Sequence, residues 1–163
     1  MTDWERFERN ACSRGVLIDT NLLVLLVVGF VNLDRIRHFK RTCNFHSEDW
    51  ELLTKILERL PLRFTSAHIL AEVSNLTDLG GFEQEDARDV LHHAISLMVE
   101  LPASSLEACR SRYYRRLGLT DAVIVSIANQ RGCPVLTSDS GLYLALSEQS
   151  ASVVNFDDLR KLL

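Results

Sequence analysis

Proline and glycine are scarce in this chain of 163 residues, three and seven respectively, and they gather into no linker. There is no low-complexity segment and no internal repeat, so a single domain is expected over residues 1–163, with 1–14 as an N-terminal extension. A chain of this length buries roughly two-thirds or more of its unfolded surface. Its four cysteines, Cys12, Cys43, Cys109 and Cys133, form no CxxC pair and have no histidine at zinc-finger spacing. That pattern excludes a disulfide scaffold and predicts idle thiols in a reducing compartment. The longest apolar run, Leu22 to Val31, is interrupted by Gly29 and is far shorter than a membrane span. Met1 to Asn10 is charged and has no apolar stretch of the signal-peptide type. A cytoplasmic protein with no membrane partner is expected. A basic excess is missing too: the formal net charge is −4. This argues against a general nucleic-acid coat but leaves room for an acidic metal site beside local basic patches.

What is present is an alternation of short buried strands with helices. Val16-Leu17-Ile18 carries no polar residue and reads as a strand buried on both faces, the habit of parallel sheets. Arg63-Phe64-Thr65, Val99-Glu100-Leu101, Pro134 to Thr137 and Val153-Val154 are further strand candidates. Between them, helical spacing links Trp50, Leu53, Ile56, Leu57 and Leu60, and a second stripe links Ala87, Val90, Leu91, Ala94, Ile95 and Met98. Thr20 or Asn21, Ser66, Ser104 or Ser105, and Thr120 are the expected helix caps. One helix is expected from Ser104 to Gly118. The segment Gly29 to Phe45 shows weak periodicity and a basic bias, and Asp157 to Leu163 suits a terminal amphipathic turn. Strands alternating with helices predict an α/β fold: a three-layer α/β/α sandwich around a mostly parallel sheet.

Four acids stand out. Asp19 ends the first strand and Asp139 follows Thr137; Asp121 opens the helix after Gly118. The carboxyl ends of parallel strands are where such sheets hold ligands. Glu72 lies mid-helix beside Ile69, Val73 and Leu76, more inward than a solvated glutamate should be. If the four meet, repulsion is severe: two unit charges about 4 Å apart cost on the order of 4 kcal/mol at an effective dielectric of about 20. Such a cluster takes up protons or a divalent cation. Oxygen donors without thiolates favour Mg²⁺ or Mn²⁺ over zinc. A cation so held polarises a phosphate oxygen and activates water near neutral pH. The competing reading for the three aspartates is helix capping.

The motifs LIDTN at Leu17 to Asn21, LAEV at Leu70 to Val73, LGLTDAVIVSIA at Leu117 to Ala128 and PVLTSDSGL at Pro134 to Leu142 together resemble the PIN domain family. The resemblance covers about Gly15 to Asn155. It implies a PIN-like fold in which Asp19, Glu72, Asp121 and Asp139 hold Mg²⁺ or Mn²⁺ and hydrolyse RNA phosphodiester bonds. It also implies supporting roles for Asn21, Thr137 and Ser138. The most common context it implies is the toxin of a toxin–antitoxin pair, with an antitoxin protein as partner. Toxins of this type often form a homodimer through their early helices, and the run Leu22 to Val31 is compatible with that contact or equally with core. The basic segment 33–45 and the residues before the first strand are additions to the family pattern.

Basic and aromatic residues near these acids are candidate RNA contacts: Arg112, Arg115 and Arg116 with Tyr114, and Arg37 and Lys40 in the basic segment. The alternative is an ordinary solvated face. His68, one helical turn before Glu72, reads as a helix-start histidine near solvent. Two rival functions remain at this stage. An aspartyl-phosphate phosphatase with Asp19 as nucleophile wants a second acid two residues on, and Asn21 stands there instead. A PIN-like scaffold that binds RNA or protein without cleaving it is the other.

Overall fold

Val16, Leu17 and Ile18 are completely enclosed, and an apolar triplet of this kind is stable only where both faces of a strand are covered. The computed structural model describes residues 1–161 and places this triplet, β1 (Val16–Ile18), at the centre of the sheet. It is preceded by α1 (Asp3–Arg14) and followed by α2 (Thr20–Val31), α3 (Arg35–His38), α4 (Ser47–Arg59), β2 (Arg63–Thr65), α5 (Ala67–Leu76), α6 (Gly81–Ser96) and β3 (Val99–Glu100). Then come α7 (Ser105–Arg110), α8 (Arg112–Leu117), α9 (Leu119–Arg131), β4 (Val135–Thr137), α10 (Ser140–Glu148), β5 (Val153–Asn155) and α11 (Phe156–Arg160). The five strands pair in parallel in the order β3-β2-β1-β4-β5. With helices on both faces this is the expected three-layer α/β/α sandwich of PIN-like form. The registers Leu17↔Val135 and Val16↔Arg63 bring the strand ends level, so the carboxyl edge of the sheet is one continuous rim.

Several local expectations change. The cap of α2 is Asp19 itself, whose carboxylate accepts from the Leu22 amide; Thr20 and Asn21 are the first helical residues. Gly118, not Thr120, precedes α9, at a φ of 89° that suits glycine. The single helix expected from Ser104 to Gly118 is two, because Ser111 adopts an extended conformation and caps α8 with its own hydroxyl. The stripe expected on α6 is loosely covered: Ala87 and Leu91 are buried, but Ile95 is exposed. Val90, Ala94 and Met98 line an apolar cavity of about 500 Å³ with Leu23, Leu26 and Phe30. The run Leu22 to Val31 is chiefly core, since six of its residues are buried leucines and valines. Leu26, Phe30 and Val31 remain open to different degrees. Among the described residues no helix is long and apolar enough to cross a membrane. The four cysteines are free thiols, and Cys133 is buried. The Leu162 and Leu163 end of the expected terminal turn lies outside the described residues.

Gly29 shows how closely α2 meets α4. A Cβ built there would lie 2.1 Å from Trp50 Cδ1. Trp50 is held by its indole N–H donating to Leu26 O at 3.1 Å and by Phe30, edge-on at 4.9 Å. Gly29→Ala is therefore expected to cost about 1–3 kcal/mol through overpacking, read as a lower urea midpoint. Gly29→Ala combined with Trp50→Ala should cost less than the sum of the two single changes.

The basic segment is anchored at both ends. Arg35 pairs with Glu83 at 2.8 Å, and Thr42 donates to Ile36 O at 2.8 Å. At the far end, Arg160 of α11 grips Asp49 through two hydrogen bonds of 2.9 and 2.7 Å. It also donates to Asn44 O at 2.9 Å and covers the Phe45 ring.

Candidate metal centre

Asp19 is fixed by its position at the strand end. Its amide donates to Leu136 O of β4 at 3.1 Å, which turns the side chain over the rim, where it is only 2% exposed. One carboxylate oxygen, Oδ1, accepts from Leu22 N at 3.1 Å, and Oδ2 accepts from Ser138 N at 3.1 Å and from the Thr137 hydroxyl. Thr137 in turn accepts from Asp139 N at 2.9 Å. Asp139 caps α10 by accepting from Leu142 N at 2.8 Å. The expected supporting roles of Thr137 and Ser138 thus have a geometric form: both hold Asp19. Asn21 is exposed and makes no side-chain hydrogen bond to the acids among the described residues.

The other two acids come from different helices. Glu72, half-buried on α5, accepts from the Thr20 hydroxyl at 3.5 Å. Asp121 sits in the first turn of α9, half-buried beneath Gly118 and Leu119. Three helix N-termini, those of α2, α9 and α10, therefore meet the rim where the acids gather, and their positive ends favour ionised carboxylates there. Burial works the other way. It raises the Asp19 carboxyl above its ordinary value, although the hydrogen bonds from Thr137, Leu22 and Ser138 oppose the shift and Asp139 adds to it. Asp121 is pushed up to about 7, first by burial and then by the charges of Asp139, Asp19 and Glu72. The four acids are thus close enough to feel one another, and among the described residues none is in an ion pair.

They converge without closing. Among the described residues, no three histidine, cysteine, aspartate or glutamate side chains stand at the spacing of a formed metal site. The two observations are compatible, because charge repulsion acts over longer distances than ligation. Asp19 and Asp139 are fixed by cap hydrogen bonds. Closure would fall to rotation of Asp121 and Glu72. The donor set itself, four carboxylates with no lysine or arginine to balance them, fits a hard divalent cation.

A model of the PIN domain family matches residues 36–145, more than half of the chain. The chain belongs to the PIN domain family. PIN domains are generally nucleases acting on RNA or DNA, and they typically use divalent metal ions. The matched range of this PIN domain holds Glu72, Asp121 and Asp139 and begins after Asp19, whose place is fixed instead by its bonds to β4 and Ser138. No curated protein and no solved structure matches the chain.

The candidate RNA contacts divide into two groups. Arg112 and Arg116 both approach Glu148, at 3.7 and 3.5 Å, and both cover the ring of Tyr113. Their charge is partly balanced, and the ring they stack on is Tyr113 rather than Tyr114. Arg115 and Tyr114 are exposed. Arg37 donates to His46 Nε2 at 2.8 Å, and Lys40 is exposed. No hydrogen bond or ion pair joins Arg37 or Lys40 to the four acids among the described residues. The acids feel one another's charge, whereas Arg37 is turned to His46.

One pair escaped the sequence reading. His68 is not simply a solvent-facing histidine: its Nε2 lies 2.6 Å from Ser105 Oγ at the start of α7, while Nδ1 is buried with no partner among the described residues. The helical step from His68 to Glu72 was visible in the sequence. The contact with Ser105 spans 37 residues and needed the fold.

Proposed function

We propose that this PIN domain is a divalent-metal-dependent endoribonuclease, acting in the cytoplasm as the toxin of a toxin–antitoxin pair. The observation that carries the reading is the gathering of acids without counter-charge at the sheet rim: the Asp121 carboxyl is pushed up to about 7, first by burial and then by the charges of Asp139, Asp19 and Glu72. A protein stores such repulsion at a cost, and a cation relieves it. Asp19, Glu72, Asp121 and Asp139 would hold Mg²⁺ or Mn²⁺. Bound there, the ion supplies charge stabilisation to a phosphodiester under attack. The protein's own contribution is positional. Thr137 and the Ser138 amide hold Asp19 at a single rotamer, the cap to Leu142 holds Asp139, and Thr20 steers Glu72. The exposed Arg115 and Tyr114, with Arg112 and Arg116 beside them, offer contacts to phosphate and base along the approach.

The test is cleavage of a fluorescently labelled single-stranded RNA during titration with Mn²⁺ or Mg²⁺. Cleavage should appear with the metal, vanish with chelator and return on re-addition. RNA bound but uncut at saturating metal would replace this reading with that of a binding scaffold. The toxin context is tested separately, by whether a small acidic protein encoded next to this chain suppresses the cleavage.

A further inference from the structure

The His68–Ser105 pair is a polar contact near Glu72 that the proposed metal site does not use. His68 lies four residues before Glu72 on α5, so the two side chains share a helix face with Cβ atoms roughly 5–6 Å apart. Ser105 arrives from the opposite side, at the first turn of α7, and is itself exposed. The 2.6 Å contact therefore joins α5 to α7 one helical turn from Glu72.

The buried ring nitrogen decides which way the hydrogen bond runs. A proton on Nδ1 would be a buried donor without an acceptor, the rarer and costlier kind of orphan. The proton therefore belongs on Nε2, which donates to Ser105 Oγ. This leaves the serine hydroxyl with its own hydrogen and one lone pair directed to solvent. Such an oriented hydroxyl can both donate and accept. Towards a phosphate oxygen it can use only its hydrogen, and its free lone pair finds no donor there. It is well matched to another hydroxyl, which needs one donor and one acceptor in return.

We propose that Ser105, oriented by His68, forms a ribose subsite that reads a 2′-hydroxyl next to the bond cleaved at the acids. The 2′-hydroxyl is the group by which a protein distinguishes RNA from DNA at one position. The proposal rests on the nuclease reading for its location beside the cut, but its recognition step stands on binding alone. Ser105 is a specificity residue and His68 a positioning residue.

The experiment compares binding of matched single-stranded RNA and DNA oligonucleotides by fluorescence anisotropy, in Ca²⁺ to hold off cleavage, and cleavage of both in Mn²⁺. The intact protein should prefer RNA by about tenfold, the discrimination of one well-placed polar contact. Ser105→Ala should lower RNA affinity to the DNA level and leave DNA affinity unchanged. His68→Ala should do the same, and His68→Gln, which keeps a side-chain N–H donor, should recover part of the preference. A single 2′-deoxy substitution moved along the RNA should reproduce the loss at one position only. If Ser105→Ala and His68→Ala leave the RNA-to-DNA ratio unchanged, or lower both affinities together, the proposal falls. It falls equally if the intact protein binds both nucleic acids alike or neither. If the ratio responds as expected but no metal cleaves the RNA, the subsite stands and the nuclease reading is the one that fails.

Discussion

Replacing Asp121 with asparagine is expected to lower metal-dependent RNA cleavage by roughly 10²–10³-fold and, without metal, to make the protein more heat-stable at pH 8. The two effects share one cause. The Asp121 carboxyl has its ordinary value of 3.8 when unfolded and about 7 in the fold. Between these values the unfolded chain has released the proton while the folded chain retains it. The stability of the metal-free protein therefore falls as pH rises from about 4 to about 7, and above that this group contributes no further change. Asparagine removes the charge, so the variant should match the native protein only below about pH 4, and its advantage should grow with pH until about pH 7 and hold at pH 8. The gain in melting temperature follows the usual scale of roughly 2–4 °C per kcal/mol for a chain of this size. Mn²⁺ at pH 8 should raise the melting temperature of the native chain more than that of the variant. A native melting temperature that is the same at pH 5 and pH 8 without metal would contradict the account. Asp19→Asn should also lose cleavage; asparagine can keep the cap on Leu22 N but turns an NH2 toward the Ser138 amide, so urea unfolding of the variant separates loss of charge from loss of fold.

Removing the Arg160 guanidinium should be the most destabilising change away from the acids. Asp49 is 6% exposed, and Arg160 donates to both of its oxygens and to Asn44 O. Arg160→Ala would leave a nearly buried carboxylate and a backbone carbonyl without these partners. The expected cost is about 3 kcal/mol, read from urea unfolding. Arg160→Met with Asp49→Leu, which removes both charges and keeps the volume, should cost much less. A loss below about 1 kcal/mol in Arg160→Ala would show that the clamp is dispensable.

The strands and the four acids were legible in the sequence because each is announced locally. A short buried strand with an acid at or just past its end, as in Val16-Leu17-Ile18-Asp19 and Val135-Leu136-Thr137-Ser138-Asp139, leaves little choice of structure. Caps were less legible, because aspartate, threonine and asparagine all cap helices. The residue chosen, Asp19, is the one that the bond to β4 pulls into place. The break at Ser111 was hidden by the continuous Arg-Tyr-Tyr-Arg pattern, which would suit one unbroken helix. The pairing of Arg112 and Arg116 with Glu148, and the contacts of Ser105 with His68 and of Arg160 with Asp49, join residues 32 to 111 positions apart. No local rule reports such pairs. The run Leu22 to Val31 was ambiguous for a different reason: hydrophobicity alone does not separate a core helix from an exposed one, and most of α2 is core.

The bond between Thr137 and Asp19 spans 118 residues, and β1 reaches its β4 neighbour across nearly the same distance. During synthesis the chain emerges with the central strand first and its partner near the end. Until β4 has left the ribosome, β1 has one open edge and Asp19 lacks the hydroxyl that fixes it. Pairing at this separation is slow to form, since the loop must close before any contact rewards it. The rim of acids is therefore assembled only after β4 has emerged, and a shorter nascent chain lacks Thr137, Ser138 and Asp139 beside Asp19.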